Sequence, residues 1–146
     1  MNKYFWLPVL ALWLTACGAT NAAAPASAAT AKPGAVTVDI AYLNHPPVRP
    51  VLAEVDKLLA TYGDRVSVAR YDFDTPEGQA FAKTKSLTEH TPVAIFINGS
   101  MQFTVSGRAV KFYSFPQGQG TGMVPGGGWT MTDLQAVLDQ ATAKTP

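Results

Sequence analysis

The side chains best suited to chemistry in this chain are one cysteine and two histidines among 146 residues. Cys17 has no second thiol with which to form a disulfide, so thiol–disulfide exchange within the chain is excluded. His45 and His90 could bind a metal ion together with Asp39 or Glu89. A lone histidine could also act as a general base, but the sequence shows no paired nucleophile. Alternatively, both histidines have simple roles in a loop and at a helix start.

The residues around Cys17 resemble the signal of a bacterial lipoprotein. Leu14-Thr15-Ala16-Cys17 matches a lipobox and ends an apolar run, residues 4–14, that follows the basic Lys3. This run is too short to span a membrane, which takes about 20 residues. The resemblance implies removal of residues 1–16, diacylglycerol on the Cys17 sulfur, and acylation of the new amine by a fatty acid such as palmitate. The alternative is a buried core cysteine after a short apolar helix.

A lipid anchor of this kind would hold the chain on a membrane of the bacterial cell envelope, facing the periplasm. Gly18 follows the cysteine, where the enterobacterial retention rule has an aspartate for the inner membrane. We therefore expect the outer membrane rather than the inner one.

Composition limits the partners of the rest of the chain. Lys and Arg total 11 against 10 Asp and Glu, and loss of Lys3 with the signal leaves ten of each. This balance gives no reason to expect a nucleic-acid partner. Residues 17–34 are rich in Ala and Pro and lack large apolar side chains, so we interpret them as the anchor and a flexible tether. Residues 35–146 are long enough for one domain with a core.

Periodicity predicts alternating strands and helices within that domain. Strands at 36–43 and 65–73 are each followed by a helix, at 48–62 and 76–85. A buried strand at 93–97, a hairpin strand at 101–106 and a helix capped by Thr130 and Asp133 follow. Because the first three strands alternate with helices, we expect them to pair in parallel, and the Asn98-Gly99 turn predicts that the last pair is antiparallel.

Several of these segments resemble the thioredoxin family. Val38-Asp39-Ile40 matches the family's Val-Asp-Phe, and His45-Pro46-Pro47-Val48-Arg49 stands four residues later, where the family has Cys-Gly-Pro-Cys-Lys. Thr91-Pro92-Val93 and Asn98-Gly99 match the family's cis-proline sequence and turn. The resemblance covers 36–107 and the last helix. It implies an α/β fold of three α/β/α layers, with a mixed central sheet of four to five strands and flanking helices.

The departure from the family lies in the cysteines. His45 replaces the nucleophilic cysteine and Val48 the resolving one, and neither side chain can carry out thiol exchange. We therefore expect neither thioredoxin activity nor a cofactor, and favour binding over catalysis. A role in thiol chemistry with a partner that supplies the cysteines stays open.

The resemblance also implies a groove that binds peptide. Asp39 matches the family's buried acid, either with a raised pKa and facing His45, or as a strand aspartate bound to a polar group or water. Beside the cis-proline, the family exposes a backbone edge that pairs with an extended peptide. The groove candidates are Asn44, His45, Pro46, Pro47, Val48, Arg49, Thr91, Pro92, Gly107, Phe112 and Tyr113.

About 20 residues, 109–129, separate Gly107 from the last helix. A loop of this length in a compact domain is usually functional or disordered. One interpretation is a strand extension at 109–114, a surface loop, and Trp129 packed on the core. The other is a flap that offers an adaptable apolar surface to a partner, made by Phe112, Tyr113, Phe115 and Met123.

Together, these features predict a lipid-anchored envelope domain without redox chemistry that binds a protein or peptide, such as a folding or assembly helper. The membrane is its second expected partner. The alternative is a metal-binding or other non-thiol site built on His45 and His90. The sequence does not indicate an oligomeric state.

Overall fold

The computed structural model describes residues 34–88, 90–120 and 126–144. Its elements in chain order are β1 (Val36–Tyr42), α1 (Arg49–Ala60), a 3-10 turn (Gly63–Arg65), β2 (Val66–Asp72), α2 (Pro76–Thr84), β3 (Val93–Ile97), β4 (Gln102–Val105), β5 (Arg108–Lys111) and α3 (Met131–Ala143). The predicted lipobox and nearly all of the tether, as well as Glu89 and Met123, lie outside the described residues. No helix within the described ranges has the length and hydropathy needed to cross a membrane.

Three strands form the main sheet, in the order β2–β1–β3. β1 pairs in parallel with β2 along its whole length. β3 runs antiparallel to β1, with Val93 opposite Tyr42, so the prediction of three parallel strands was wrong for β3. The reason is that the connection after α2 returns the chain to the end of the sheet where β1 stops. There the Leu43 N–H donates to the Pro92 carbonyl at 3.0 Å.

The hairpin of β4 and β5 forms a separate two-stranded sheet. Because β4 pairs with β5 and not with β3, the described hydrogen bonds define three central strands, not the expected four or five. After β5, residues 112–114 turn back to β3. The Ile95 N–H donates to the Phe112 carbonyl at 3.0 Å, and the Ser114 N–H donates to the Val93 carbonyl at 2.8 Å. The described chain is therefore a mixed α/β protein with a mixed three-stranded sheet and three α-helices.

The larger hydrophobic core lies on one face of the main sheet. Alternate residues of β1 point to this face, and α1 and α3 pack over them. The core residues of these three elements are Val36, Val38, Ile40, Val51, Val55, Leu59, Leu134, Val137 and Leu138. A smaller cluster around Ala41, Phe73 and Ala82 joins α2 to the sheet. The helices predicted at 48–62 and after Thr130 are confirmed, and each buries one apolar stripe.

The first part of the insertion belongs to the larger core. Phe112 and Trp129 are fully buried, with ring centroids 5.6 Å apart in an edge-to-face contact, and Phe115 is buried beside them in the same cluster. The Trp129 Nε1–H donates to the Ser114 carbonyl at 3.1 Å. The expected packing of Trp129 on the core is thus confirmed, whereas the strand expected at 109–114 extends only over Arg108–Lys111. Burial of these rings stabilises the fold, so Phe112 and Phe115 do not form an outer flap surface.

A buried carboxylate joins the hairpin to α3. The Asp133 Oδ2 accepts from the Thr130 N–H at 2.9 Å while the Thr130 hydroxyl accepts from the Asp133 N–H at 3.1 Å, which confirms the predicted capping box. Arg108 donates to both Asp133 oxygens, at 2.8 and 2.9 Å, and to the Gly128 carbonyl at 2.7 Å. Burial raises the pKa of Asp133, but hydrogen bonds from Arg108 and Thr130 and the charge of Arg108 outweigh it and lower that pKa below 3.8.

Replacement of Asp133 by asparagine should lower the free energy of unfolding at pH 7 by about 1–3 kcal/mol, because the charged acceptor of Arg108 is lost. A lowered pKa means that the carboxylate stabilises the fold above about pH 3.8, and that this contribution is lost as the pH falls further. In urea unfolding, the difference in the free energy of unfolding between the wild type and Asp133→Asn should therefore decrease towards pH 3. Asp74→Asn, which changes an exposed acid outside this ion pair, is the control. A deficit that does not depend on pH would contradict the role of the charge.

Candidate functional site

A groove of about 700 Å³ lies where β1 and β2 end. We call it the histidine groove, and it is lined by Leu43, His45, Phe73, Asp74, Gln79, Ala82, Lys83, Leu87 and His90. Its apolar part belongs to the smaller cluster or packs against it. Two imidazoles, a carboxylate, an amine and an amide supply its polar groups.

Asp72, the last residue of β2, connects the two sides of this groove. Its carboxylate accepts from the Asn44 side-chain amide at 3.1 Å and from the Asp74 N–H at 3.0 Å. Its carbonyl accepts from the N–H and hydroxyl of Thr75, at 3.0 and 2.8 Å. Thr75 in turn caps α2 by accepting from the Gly78 N–H at 3.1 Å. The loop after β1 and the start of α2 are therefore held by one residue.

Gly78 allows α2 to lie directly against that turn. A Cβ atom at this position would lie 1.8 Å from the Asp72 carbonyl oxygen and 2.4 Å from its carbon. Only glycine permits such an approach, because real Cβ atoms do not come within 3.0 Å of other heavy atoms. The contact fixes the distance of α2 from the sheet, and with it the positions of Ala82 and Lys83 one turn later.

The candidate segment 44–49 contributes His45 to the groove but turns Val48 away from it. Val48 is 2% exposed and belongs to the larger core. The His45 carbonyl accepts from the N–H groups of Val48 and Arg49, at 2.9 and 3.3 Å, which begins α1. Arg49 Nε donates to the Asn44 side-chain oxygen at 3.3 Å and steadies the loop. Both prolines of this segment are exposed, and neither lines the groove.

The backbone edge expected beside Pro92 is not open. Thr91 and Pro92 are buried. The Thr91 N–H donates to the Thr88 carbonyl at 3.0 Å, and the Pro92 carbonyl accepts from Leu43. The described residues contain no cis peptide bond, so the prediction of a cis-proline was wrong. The trans form is the ordinary one, and it suits the extended path into β3.

The remaining groove candidates lie elsewhere. Gly107 is in the exposed turn between β4 and β5, and Phe112 is in the core. Tyr113 is half-buried, and its hydroxyl hydrogen-bonds to the Thr91 hydroxyl at 3.1 Å, a contact that lowers the pKa of Tyr113. None of the three lines the histidine groove. The structure thus brings together only His45 of the groove candidates, with His90 from the metal hypothesis.

Asp39 lies on the face of β1 opposite the larger core. Burial raises the pKa of its carboxyl group above 3.8, against the charge of Lys85, which lowers it. The direction of this pKa shift agrees with the interpretation of a retained buried acid. The surroundings of Asp39 do not agree with it, because Asp39 does not line the groove and the charge that acts on its carboxyl group is that of Lys85 and not His45. The Lys85 ammonium lies over the ring of Phe96, 5.0 Å from its centroid.

His45 and His90 lie on the same groove, together with Asp74. Within the described residues, however, no three histidine, cysteine or carboxylate side chains are placed to hold a metal ion. Sequence reasoning missed the wall formed by α2, which contributes Gln79, Ala82 and Lys83. The glycine two residues after Pro76 was the available signal, since a glycine inside a helix often marks a close approach.

No model of a known protein family matches the chain, and no curated protein matches it significantly. What the groove can do follows from its residues. Its described lining has no hydroxyl or thiol nucleophile for a histidine to activate. It has an apolar region that can receive a side chain, and polar atoms around that region that can hydrogen-bond to a backbone.

Gly78→Ala should lower the free energy of unfolding by about 1–3 kcal/mol, because α2 must move away from Asp72 to admit the methyl group. Gly128→Ala is the matched control. A Cβ there meets nothing within 4 Å, so its effect should stay within about 0.5 kcal/mol. Urea unfolding measures both values, and amide shifts of α2 report the displacement. Equal effects of the two substitutions would show that the close approach is not needed.

Asp39→Asn should stabilise the fold at pH 7. Because the pKa of Asp39 is raised in the folded chain, ionisation of this carboxyl group destabilises the fold. The protonated group therefore makes its full contribution to stability below about pH 3.8, and this contribution is lost as the pH rises through the folded pKa. Thermal unfolding should show a higher midpoint for the variant at pH 7 and a smaller difference at pH 3. Asp74→Asn, which changes an exposed acid, is the control. A variant less stable than the wild type at pH 7 would mean that Lys85 outweighs burial.

Proposed function

We propose that the chain is a lipid-anchored protein of the bacterial cell envelope whose thioredoxin-like domain binds a protein or peptide segment without thiol chemistry. The histidine groove is the proposed site, and its combination of an apolar floor and a polar rim is the observation that carries the proposal. An apolar side chain of the bound segment enters the groove, and the neighbouring backbone of that segment bonds to the rim.

Three features of the fold support a thioredoxin-like domain. The order strand, helix, strand, helix, strand precedes the hairpin, and the main sheet is mixed. Helices pack on both faces of that sheet. His45, at the position of the family's nucleophilic cysteine, lies just before α1 and lines the histidine groove.

The lipobox supports the anchor and the compartment. Leu14-Thr15-Ala16-Cys17 follows an apolar run of signal-peptide length. The neutral charge balance and the tether composition agree with a domain held near a membrane surface without electrostatic adhesion to it.

Binding is favoured over catalysis by the groove itself. Its volume of about 700 Å³ lies within the range of about 300–1,000 Å³ that is usual for ligand pockets. Val48, at the position of the resolving cysteine, is buried in the core and cannot reach a substrate. The rim has one cation, Lys83, and one anion, Asp74, which suits a polar backbone better than a highly charged ligand.

Filling the groove tests this function. Ala82→Phe places a ring where the apolar side chain would enter, and Ala80→Phe makes the same change at an exposed position two residues away on α2. A photo-crosslinking residue at position 83 should yield a discrete adduct in cells. We expect Ala82→Phe to reduce that adduct at least tenfold, about 1.4 kcal/mol of affinity, and Ala80→Phe to leave it unchanged. A folded Ala82→Phe chain with a wild-type adduct would refute the site.

Metal binding is the second candidate, because His45 and His90 lie on one groove. Zinc titration by calorimetry separates it from peptide binding. Under the main proposal, wild type and His45→Ala give the same heats. One-site binding that is lost in both His45→Ala and His90→Ala would establish the metal site instead.

A further inference from the structure

β2 is an outer strand of the main sheet, and among the described residues it pairs only with β1. The Phe73 N–H donates to the Tyr42 carbonyl at 2.9 Å. In a parallel pair, the backbone groups of alternate residues point to the same neighbour, so those of residues 67, 69 and 71 face β1. The backbone groups of the intervening residues face outward, and these residues are Val66, Val68 and Arg70.

Most of these outward groups have no partner within the part of the chain that the structure describes. The Val66 N–H donates to the Gly63 carbonyl of the 3-10 turn. The Val66 carbonyl and both backbone groups of Val68 and Arg70 make no hydrogen bond to another described residue. Such a row of unpaired donors and acceptors is a template for one more strand.

A second groove, of about 530 Å³, runs beside this edge on the α1 face. We call it the edge groove. Leu59 and Ala60 of α1 and Val66 and Val68 of β2 form its apolar lining, and the ion pair of Asp56 with Arg70 lies in its wall. Val66 and Val68 are only half-buried, although both pack against the larger core. Side chains of an added strand would cover them.

We propose that a second copy of this chain occupies the β2 edge. The two β2 strands pair antiparallel about a two-fold axis at Val68 or Ala69, and the two three-stranded sheets become one sheet of six strands. The edge groove shares no lining residue with the histidine groove, so this pairing stands independently of the proposed function.

Symmetry and charge favour a second copy over other occupants. The edge is complementary to itself, because an antiparallel second copy presents the same row of backbone donors and acceptors. The valines of the second copy would also lie on the same face of the joined sheet as those of the first. Each edge groove carries one acid and one base, and the chain has a net charge of only +1, so two copies do not repel each other. The chain's own tether, 17–34, has no large apolar side chain that could fill the groove.

Single added cysteines in the full chain test the pairing. A residue on the two-fold axis lies opposite its own copy, with Cα atoms about 4.5–5.5 Å apart, which is within the range for a disulfide. Either Val68→Cys or Ala69→Cys should therefore form a disulfide-linked dimer under mild oxidation. Ser67→Cys is the matched control on the same strand, since its copy would lie more than about 7 Å away in either register. We expect at least tenfold more dimer from the axial position than from the control.

The wild-type chain, oxidised in the same way, shows how much dimer forms through a disulfide between two Cys17 thiols. This amount is subtracted from the dimer formed by each variant. No excess at positions 68 and 69 in chains with wild-type circular dichroism would overturn the proposal in favour of another occupant of the edge. Equal yields of dimer from cysteines at positions 67, 68 and 69 would also overturn the proposal, because random collision of two chains does not favour one strand register over another.

Sedimentation without crosslinking gives a second measurement should the cysteine variants not fold. The wild-type chain should show a monomer–dimer equilibrium that Val68→Lys shifts to monomer and Ser67→Lys does not, because a lysine at 68 enters the apolar edge groove. A wild-type chain that stays monomeric at all concentrations, or equal effects of both lysines, would refute the pairing.

Discussion

The hydrogen bonds of Asp72 hold together the two segments between which the histidine groove lies. Its side chain binds the loop after β1 through Asn44, and its carbonyl binds Thr75 at the start of α2. Gly78 packs against the same carbonyl so closely that no other residue fits. The groove is therefore a consequence of how β2 ends. Its walls stand at a fixed separation because both are bonded to one residue of a strand that is itself held by β1.

The opposite face of the sheet depends on a different constraint, the burial of large aromatic rings from the insertion. Phe112 and Trp129 fill the space between the sheet, the hairpin and α3, and Arg108 locks the hairpin to Asp133 at the start of that helix. Phe112 and Phe115, which could have belonged to a flap over a binding site, are instead part of the core. Two surfaces that remain accessible to partners among the described residues are the histidine groove and the outer edge of β2.

Much of the fold followed from local pattern. The helix α1, the buried strand β3 and the Thr130–Asp133 capping box are all where periodicity and capping chemistry predicted them. These features depend on residues a few positions apart, so a sequence displays them directly. The antiparallel direction of β3 did not follow, because alternation of strands and helices does not specify at which end of the sheet a connection returns. The burial of Phe112 did not follow either, since an aromatic residue in a long insertion fits a core and a flap equally well.

The candidate site, like the fold, was determined partly by the sequence and partly by the tertiary structure. The lack of a second thiol, and with it the lack of thiol exchange within the chain, was determined by the sequence alone, because no fold can supply a missing sulfur atom. That His45 and His90 lie on one groove, that Val48 turns into the core, and that Thr91 and Pro92 offer no free edge were decided only by the tertiary structure. These outcomes depend on backbone pairings between residues far apart in the chain, and on the close approach of α2 to the end of β2.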